Sequence, residues 1–169
     1  MYMMKYLLLF ICTISLQSCI YWGSDDEMMH GSRYTPITQT RQTFESTIER
    51  KSARPVSNAG KIYVKDQFLF INEEEEGFHI YNNQDPGNPE AISFLKVPGA
   101  TDLAIRGNTI FVHHYVDLLS IELNLNTNEI LTMTRTPDVF PQLNSPDGYE
   151  AAYFDIPADQ IIVGYQPKN

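Results

Sequence analysis

The chain has 169 residues, with 21 Asp and Glu against 12 Lys and Arg, a net charge of −9 and two cysteines. An acidic balance of this size repels phosphate backbones, which excludes nucleic acid as a partner, and two cysteines give no disulfide framework. The length suits one domain with a sizeable core.

Lys5 is followed by an almost unbroken apolar run over residues 6–16 and then by Gln17 and Ser18. The run falls short of the roughly 20 apolar residues that cross a bilayer, and the order of charge, apolar stretch and small residue is that of a signal peptide. Leu16-Gln17-Ser18-Cys19 resembles the lipobox of bacterial lipoproteins, with Leu16, Ser18 and Cys19 matching and Gln17 tolerated. The resemblance implies a leader at 1–18, cleavage before Cys19 and acylation of its thiol. The alternative is an ordinary secretory signal with Cys19 near the cut by chance. Removing 1–18 takes away Lys5 and Cys12, so 151 residues remain with a net charge of −10 and Cys19 as their one cysteine. Several acyl chains on that residue would hold the protein stably to a membrane, where one chain alone would not.

Residues 19–33 read as a lipid-anchored acidic tether. Its Ser24-Asp25-Asp26-Glu27 resembles the surface-export signal of some Gram-negative lipoproteins, which places the expected location at the outer membrane, facing the periplasm or the cell surface. The same four residues also have the spacing of a helix capping box, or form a solvated linker. Residues 34–59 form an N-terminal segment with a short helix over 40–51. Phe44 and Ile48 lie four apart there, Arg41 can pair with Glu45, and Arg50 and Lys51 suit a helix C-terminus. Pro55 and Asn58-Ala59-Gly60 end it.

The remainder, 60–169, reads as an all-β repeat domain. Aromatic and branched residues fill 61–64, 67–71, 77–81 and 91–97, with turn residues between them, as in one antiparallel meander. The pattern returns after about 41 residues: 62–66 overlays 103–107, 68–71 overlays 109–112, and 78–81 overlays 119–122. A four-stranded unit at a period of 40 to 45 is that of a β-propeller blade, which must stack on neighbours to bury its faces. Residues 60–64, 70–72, 77–80 and 115–118 resemble the LVIVD-repeat, propeller-like lipoproteins of bacterial cell envelopes, a likeness running from about Tyr34 to the end. It implies an exported repeat scaffold and transfers no catalytic residue. Only about two and a half units are present, fewer than the four to eight of a closed propeller. Residues 149–156 and 160–166 are expected to form a final hairpin across Pro157-Ala158-Asp159 that covers an open edge.

Among groups that could carry chemistry, His113, His114 and Asp117 have the donor types for zinc or proton transfer. Adjacent strand residues point to opposite faces, so the two imidazoles are not expected to converge. Residues 73–76 are four consecutive glutamates that lack the spacing of a calcium loop and read as a solvated connection. Asp85 and Asn88 read as turn residues. Tyr149, Tyr153 and Tyr165, outside the repeat, are candidates for a partner surface, while the aromatics within the repeat are expected in the core. No nucleophile elbow, phosphate loop or zinc-helix motif is present, and no cofactor is expected. These features favour a non-enzymatic binding or assembly scaffold that contacts envelope protein or glycan. The alternatives are an envelope hydrolase, metal-assisted through His113, His114 or Asp117, and a subunit whose open sheet is completed by another copy or a partner.

Overall fold

A computed structural model describes residues 31–124, 127 and 129–168. Cys19 and Ser24, Asp25, Asp26 and Glu27 lie outside the described residues. Residues 32–169 group as one compact unit, so segment 34–59 is built into the same body as the β-rich remainder. Eleven strands, a five-residue α-helix and one 3-10 helix are present among the described residues. All strand pairings are antiparallel.

The strands make three open sheets. β2 (Glu49–Ser52), β3 (Ala59–Lys65), β4 (Phe68–Glu73), β5 (Gly77–Asn82) and β6 (Glu90–Lys96) form a five-stranded sheet in the order β2-β6-β5-β4-β3. β7 (Leu103–Arg106), β8 (Thr109–His114), β9 (Asp117–Asn124) and β10 (Glu129–Thr136) form a four-stranded sheet. β1 (Tyr34–Thr40) pairs only with β11 (Gln160–Pro167), as a separate ribbon. Strands β3 to β9 fall on the apolar runs and their overlays; β2 and β10 are added by the structure. The first hairpins of the two meanders match: Lys65 opposite Phe68 and Arg106 opposite Thr109 each close a two-residue loop whose first member, Asp66 or Gly107, has a left-handed φ.

Alternation fixes which side is buried. In β8 and β9 every second residue is buried, through Ile110, Val112 and His114 and through Asp117, Leu119, Ile121 and Leu123. These apolar residues share one cluster with Phe68, Phe70, Phe78, Ile80 and Leu95 of the five-stranded sheet. The inner faces of the two sheets therefore share one core. Gly77 opens β5 against β6 so closely that a Cβ there would lie 2.1 Å from the Leu95 carbonyl oxygen, a contact only glycine permits.

The segment before the repeat departs from expectation. The helix, α1, spans only Arg41–Glu45, capped by the Thr40 hydroxyl, which accepts from the Thr43 N–H at 3.3 Å. The hydroxyls of Ser46 and Thr47 then donate back to the carbonyls of Thr43 and Phe44, at 2.7 and 2.8 Å. Such bonds compete with further helix, and Arg50 and Lys51 lie in β2 against β6 rather than at a helix end. The expected terminal hairpin is also corrected. Residues 149–156 contain no strand; Ala151–Phe154 is a 3-10 helix. The Tyr149 N–H is held by the Ser145 hydroxyl and its carbonyl by the Ser145 N–H, both at 2.9 Å, so a local turn consumes the groups a ladder would use. β11 finds its partner in β1, more than a hundred residues earlier.

Candidate functional site

The most concentrated polar chemistry among the described residues lies where the β8–β9 hairpin meets α1. His114 and Asp117 are direct register partners at the end of that hairpin, and both are 0% exposed. The two-residue loop between them places Tyr115 at φ 51, and its ring lies over Gly99, where an added Cβ would meet it at 2.9 Å. This left-handed non-glycine is held by its own packing.

Both oxygens of Asp117 accept two hydrogen bonds each. Arg41 donates from one nitrogen to both Asp117 oxygens, at 2.8 and 2.7 Å, and from its other terminal nitrogen to Asp138 at 2.7 Å. Arg135 donates to Asp117 Oδ2 at 2.7 Å, and the Asp138 N–H donates to Oδ1 at 3.0 Å. Burial pushes the Asp117 carboxyl up, but the hydrogen bonds from Arg41, Arg135 and the Asp138 amide outweigh it and hold it below the usual carboxylate range.

His114 continues the network. Arg135 lies 3.0 Å from Nδ1 and, having only protons to offer, makes that nitrogen the acceptor. Nε2 then carries the proton and donates to the Thr47 hydroxyl at 3.0 Å, whose own proton goes to the Phe44 carbonyl. The imidazole stacks on Phe44 at 3.9 Å between centroids, 3° from parallel. Burial, reinforced by the charge of Arg135, pulls its pKa from 6.5 down to about 3. His114 is thus a neutral, fully bonded ring near pH 7.

His113 faces the other way and meets Phe140 edge-on at 5.9 Å. The structure therefore brings His114 and Asp117 together and leaves His113 apart. Among the described residues no group of three or more His, Cys, Asp or Glu is arranged to hold a metal. A cation between His114 and Asp117 would also face two guanidinium groups that already occupy their lone pairs.

A second buried polar pair corrects the reading of the glutamate run. Glu73 is 1% exposed, not solvated, and meets His79 Nε2 at 2.8 Å. The N–H groups of Ser57 and Asn58 donate to its two oxygens at 3.0 and 2.5 Å. Burial raises its pKa, but these N–H donors and His79 together bring it down from 4.5 to about 2. Arg54 roofs the site, with its guanidinium 4.0 Å from the Phe94 ring centroid and an ion pair to Glu76. Glu74, Glu75 and Glu76 are exposed.

Asp85 behaves as a turn residue, accepting from the Gly87 N–H at 3.0 Å on its side chain and from the Asn88 N–H at 2.9 Å on its carbonyl. Tyr149, Tyr153, Phe154 and Tyr165 make a chain of rings with successive centroids 4.5, 5.1 and 5.3 Å apart. Tyr153 in that chain is 50% exposed. Within the repeat Phe68, Phe70, Phe78 and Phe94 are buried, whereas Tyr81 and Phe111 are only partly so. Sequence reading misses Arg41, Thr47, Arg135 and Asp138 around Asp117, and His79 beside Glu73. The only local signal is the buried parity of His114 within β8; around His79 β5 is buried on both faces. Comparison with protein-family models, with curated proteins and with solved structures finds no match.

Proposed function

We propose that this chain is a lipid-anchored envelope lipoprotein whose β-rich body serves as a non-enzymatic binding or assembly scaffold. The observation that carries the scaffold reading is how the polar groups are spent. Asp117, His114, Glu73 and His79, the buried residues with acid–base capacity, are saturated by partners within the fold. Apolar side chains meanwhile remain outside, with Ile62 60%, Val64 65% and Tyr153 50% exposed. Ile62 and Val64 lie two apart on one face of the edge strand β3, where they are available to a contacting molecule.

A blade-like arrangement is part of the reading, along with the resemblance to LVIVD-repeat proteins. It is supported by the 41-residue overlay of the two antiparallel meanders, whose faces reverse in the first hairpin and agree in β5 and β9. Phe70 is 1% exposed in the shared core, while Phe111, 41 residues later, points to the outer side between buried Ile110 and Val112. Phe78 and Ile80, by contrast, lie in the same core as Leu119 and Ile121, the residues 41 positions later, because the β8–β9 loop is one residue shorter than the β4–β5 loop. The lipid anchor rests on Leu16, Ser18 and Cys19, and outer-membrane or cell-surface placement on Ser24, Asp25, Asp26 and Glu27.

The test is affinity capture of the tagged chain from gently solubilised envelope, against a Cys19→Ala control, with intact-mass analysis of the same material. A lipid adduct on Cys19 and a reproducible stoichiometric protein or glycan partner are expected. Unmodified Cys19 would overturn the anchor. Turnover of an envelope polymer that is lost in His114→Ala and Asp117→Ala chains that still fold would replace the scaffold by the hydrolase.

A further inference from the structure

The outer strands of the described sheets are guarded in different ways and to different degrees, β10 least along its length. A free strand edge offers unpaired N–H and C=O groups to any other strand, and stable proteins blunt it with charge, proline or shortness. β2 carries Glu49, Arg50 and Lys51; β3 carries Lys61 and Lys65; β7 has four residues; β1 contains Pro36 and β11 ends at Pro167. β10 has eight residues and neither lysine nor proline; Glu129 and a bulge at Leu131 guard its start, and the regular stretch from Thr132 onward has no such guard. Its residues 131–134 are all exposed, Leu131 at 54% and Met133 at 44%. Its one cation, Arg135, turns inward to Asp117 and His114.

We infer that β10 is a self-pairing edge, at which a second copy of this chain adds antiparallel to extend the four-stranded sheet across a two-fold axis. The strand's own order points to a copy of itself. Thr132-Met133-Thr134 reads the same in both directions, so an antiparallel pair centred on Met133 sets Met133 against Met133 and each Thr132 against the other copy's Thr134. The faces agree as well. Met133 lies opposite Ile121 on the inner face, and Thr132 and Thr134 lie opposite Glu122 and Ser120 on the outer one, so like meets like in the extended sheet. Threonine pairs of this kind stabilise antiparallel neighbours. Charge permits it too: residues 130–137 contain no acid, in a chain whose net charge of −9 resists self-association elsewhere. A single strand pairing buries less than the roughly 1,200 Å² of a stable interface, so the dimer belongs to the weak, reversible class.

The pairing is tested on the full chain in mild detergent, with Cys12→Ser and Cys19→Ser so that neither native thiol nor lipid contributes. Met133→Cys is compared with Val64→Cys, at a position that is more exposed, 65% against 44%, but lies on a lysine-guarded edge. Paired Met133 Cα atoms would lie about 4.5–5.5 Å apart, within disulfide reach. The Met133→Cys chain is expected to form covalent dimer at least tenfold faster than the Val64→Cys chain under dilute oxidant. Adding Thr132→Lys is expected to bring that rate down to the reference. Equal rates for the two thiols, or a rate that Thr132→Lys leaves unchanged while circular dichroism shows the sheet intact, would overturn the pairing. Because Cys19 is absent throughout, the outcome is independent of the lipid anchor.

Discussion

Glu73 and His114 stand 41 residues apart at matching places in the two meanders, each the last residue of its sheet's second hairpin strand. Both are buried, and each is closed over by chain from the N-terminal segment. The closures differ in kind. Glu73 is an anion held by two backbone N–H groups and the His79 ring. His114 is a neutral ring beside an anion, Asp117, that is held by two arginines from distant parts of the chain. Matching positions in a repeat thus share burial while their charge is decided by whichever segment packs against them.

The comparison breaks most sharply at Asp117. Asp117→Asn removes the anion shared by Arg41 and Arg135 and leaves only the exposed carboxylates of Asp138 and Glu45 beside Arg41, and a loss of about 3–5 kcal/mol in urea unfolding is expected. Glu73→Gln removes an anion whose partners are mostly neutral, so a smaller loss of about 2 kcal/mol is expected by the same measurement. Equal losses would mean that the arginines are not what sets the first site apart.

Acid separates the two sites by window. His114 has a folded pKa near 3 against 6.5 unfolded, so the unfolded chain binds the extra proton and stability falls as pH drops below 6.5. The expected loss is about 2 kcal/mol by pH 5, and His114→Gln should abolish this part of the profile. Glu73, near 2 when folded against 4.5 unfolded, contributes stability that is fully present above 4.5 and lost as pH falls from there toward 2. Thermal unfolding of the wild-type, His114→Gln and Glu73→Gln chains across pH 7 to 3 resolves the two. The smallest effect belongs to the roof of the Glu73 site. Arg54 is substantially exposed and touches Phe94 by its face, so Arg54→Ala is expected to cost about 0.5–1 kcal/mol with the pH profile unchanged.

Much of the fold was legible because strand alternation is local. The runs around Tyr63, Phe70, Phe78 and Phe94 fall on strands β3 to β6, and the repeat over 103–122 falls on β7 to β9. The divergence of His113 and His114 followed from the same period of two. The helix was overextended because the hydroxyls of Ser46 and Thr47 turn back onto the preceding carbonyls, a choice propensity does not register. The terminal hairpin was misread because Ser145 captures Tyr149, and because β11 is claimed by β1.

The sequence by itself determined strands β3 to β9 and the turns between them, since each depends on neighbours a few residues apart. It also carries the leader-like order up to Cys19 from which the anchor is proposed. Tertiary structure alone decided that Arg41 reaches Asp117 across 76 positions and Asp138 across 97, and that Glu73 is sealed by the backbone of Ser57 and Asn58. Buried charge is tolerated only where opposite charge or N–H donors converge on it. Which segments supply them depends on how the chain closes in space, and no local pattern records that.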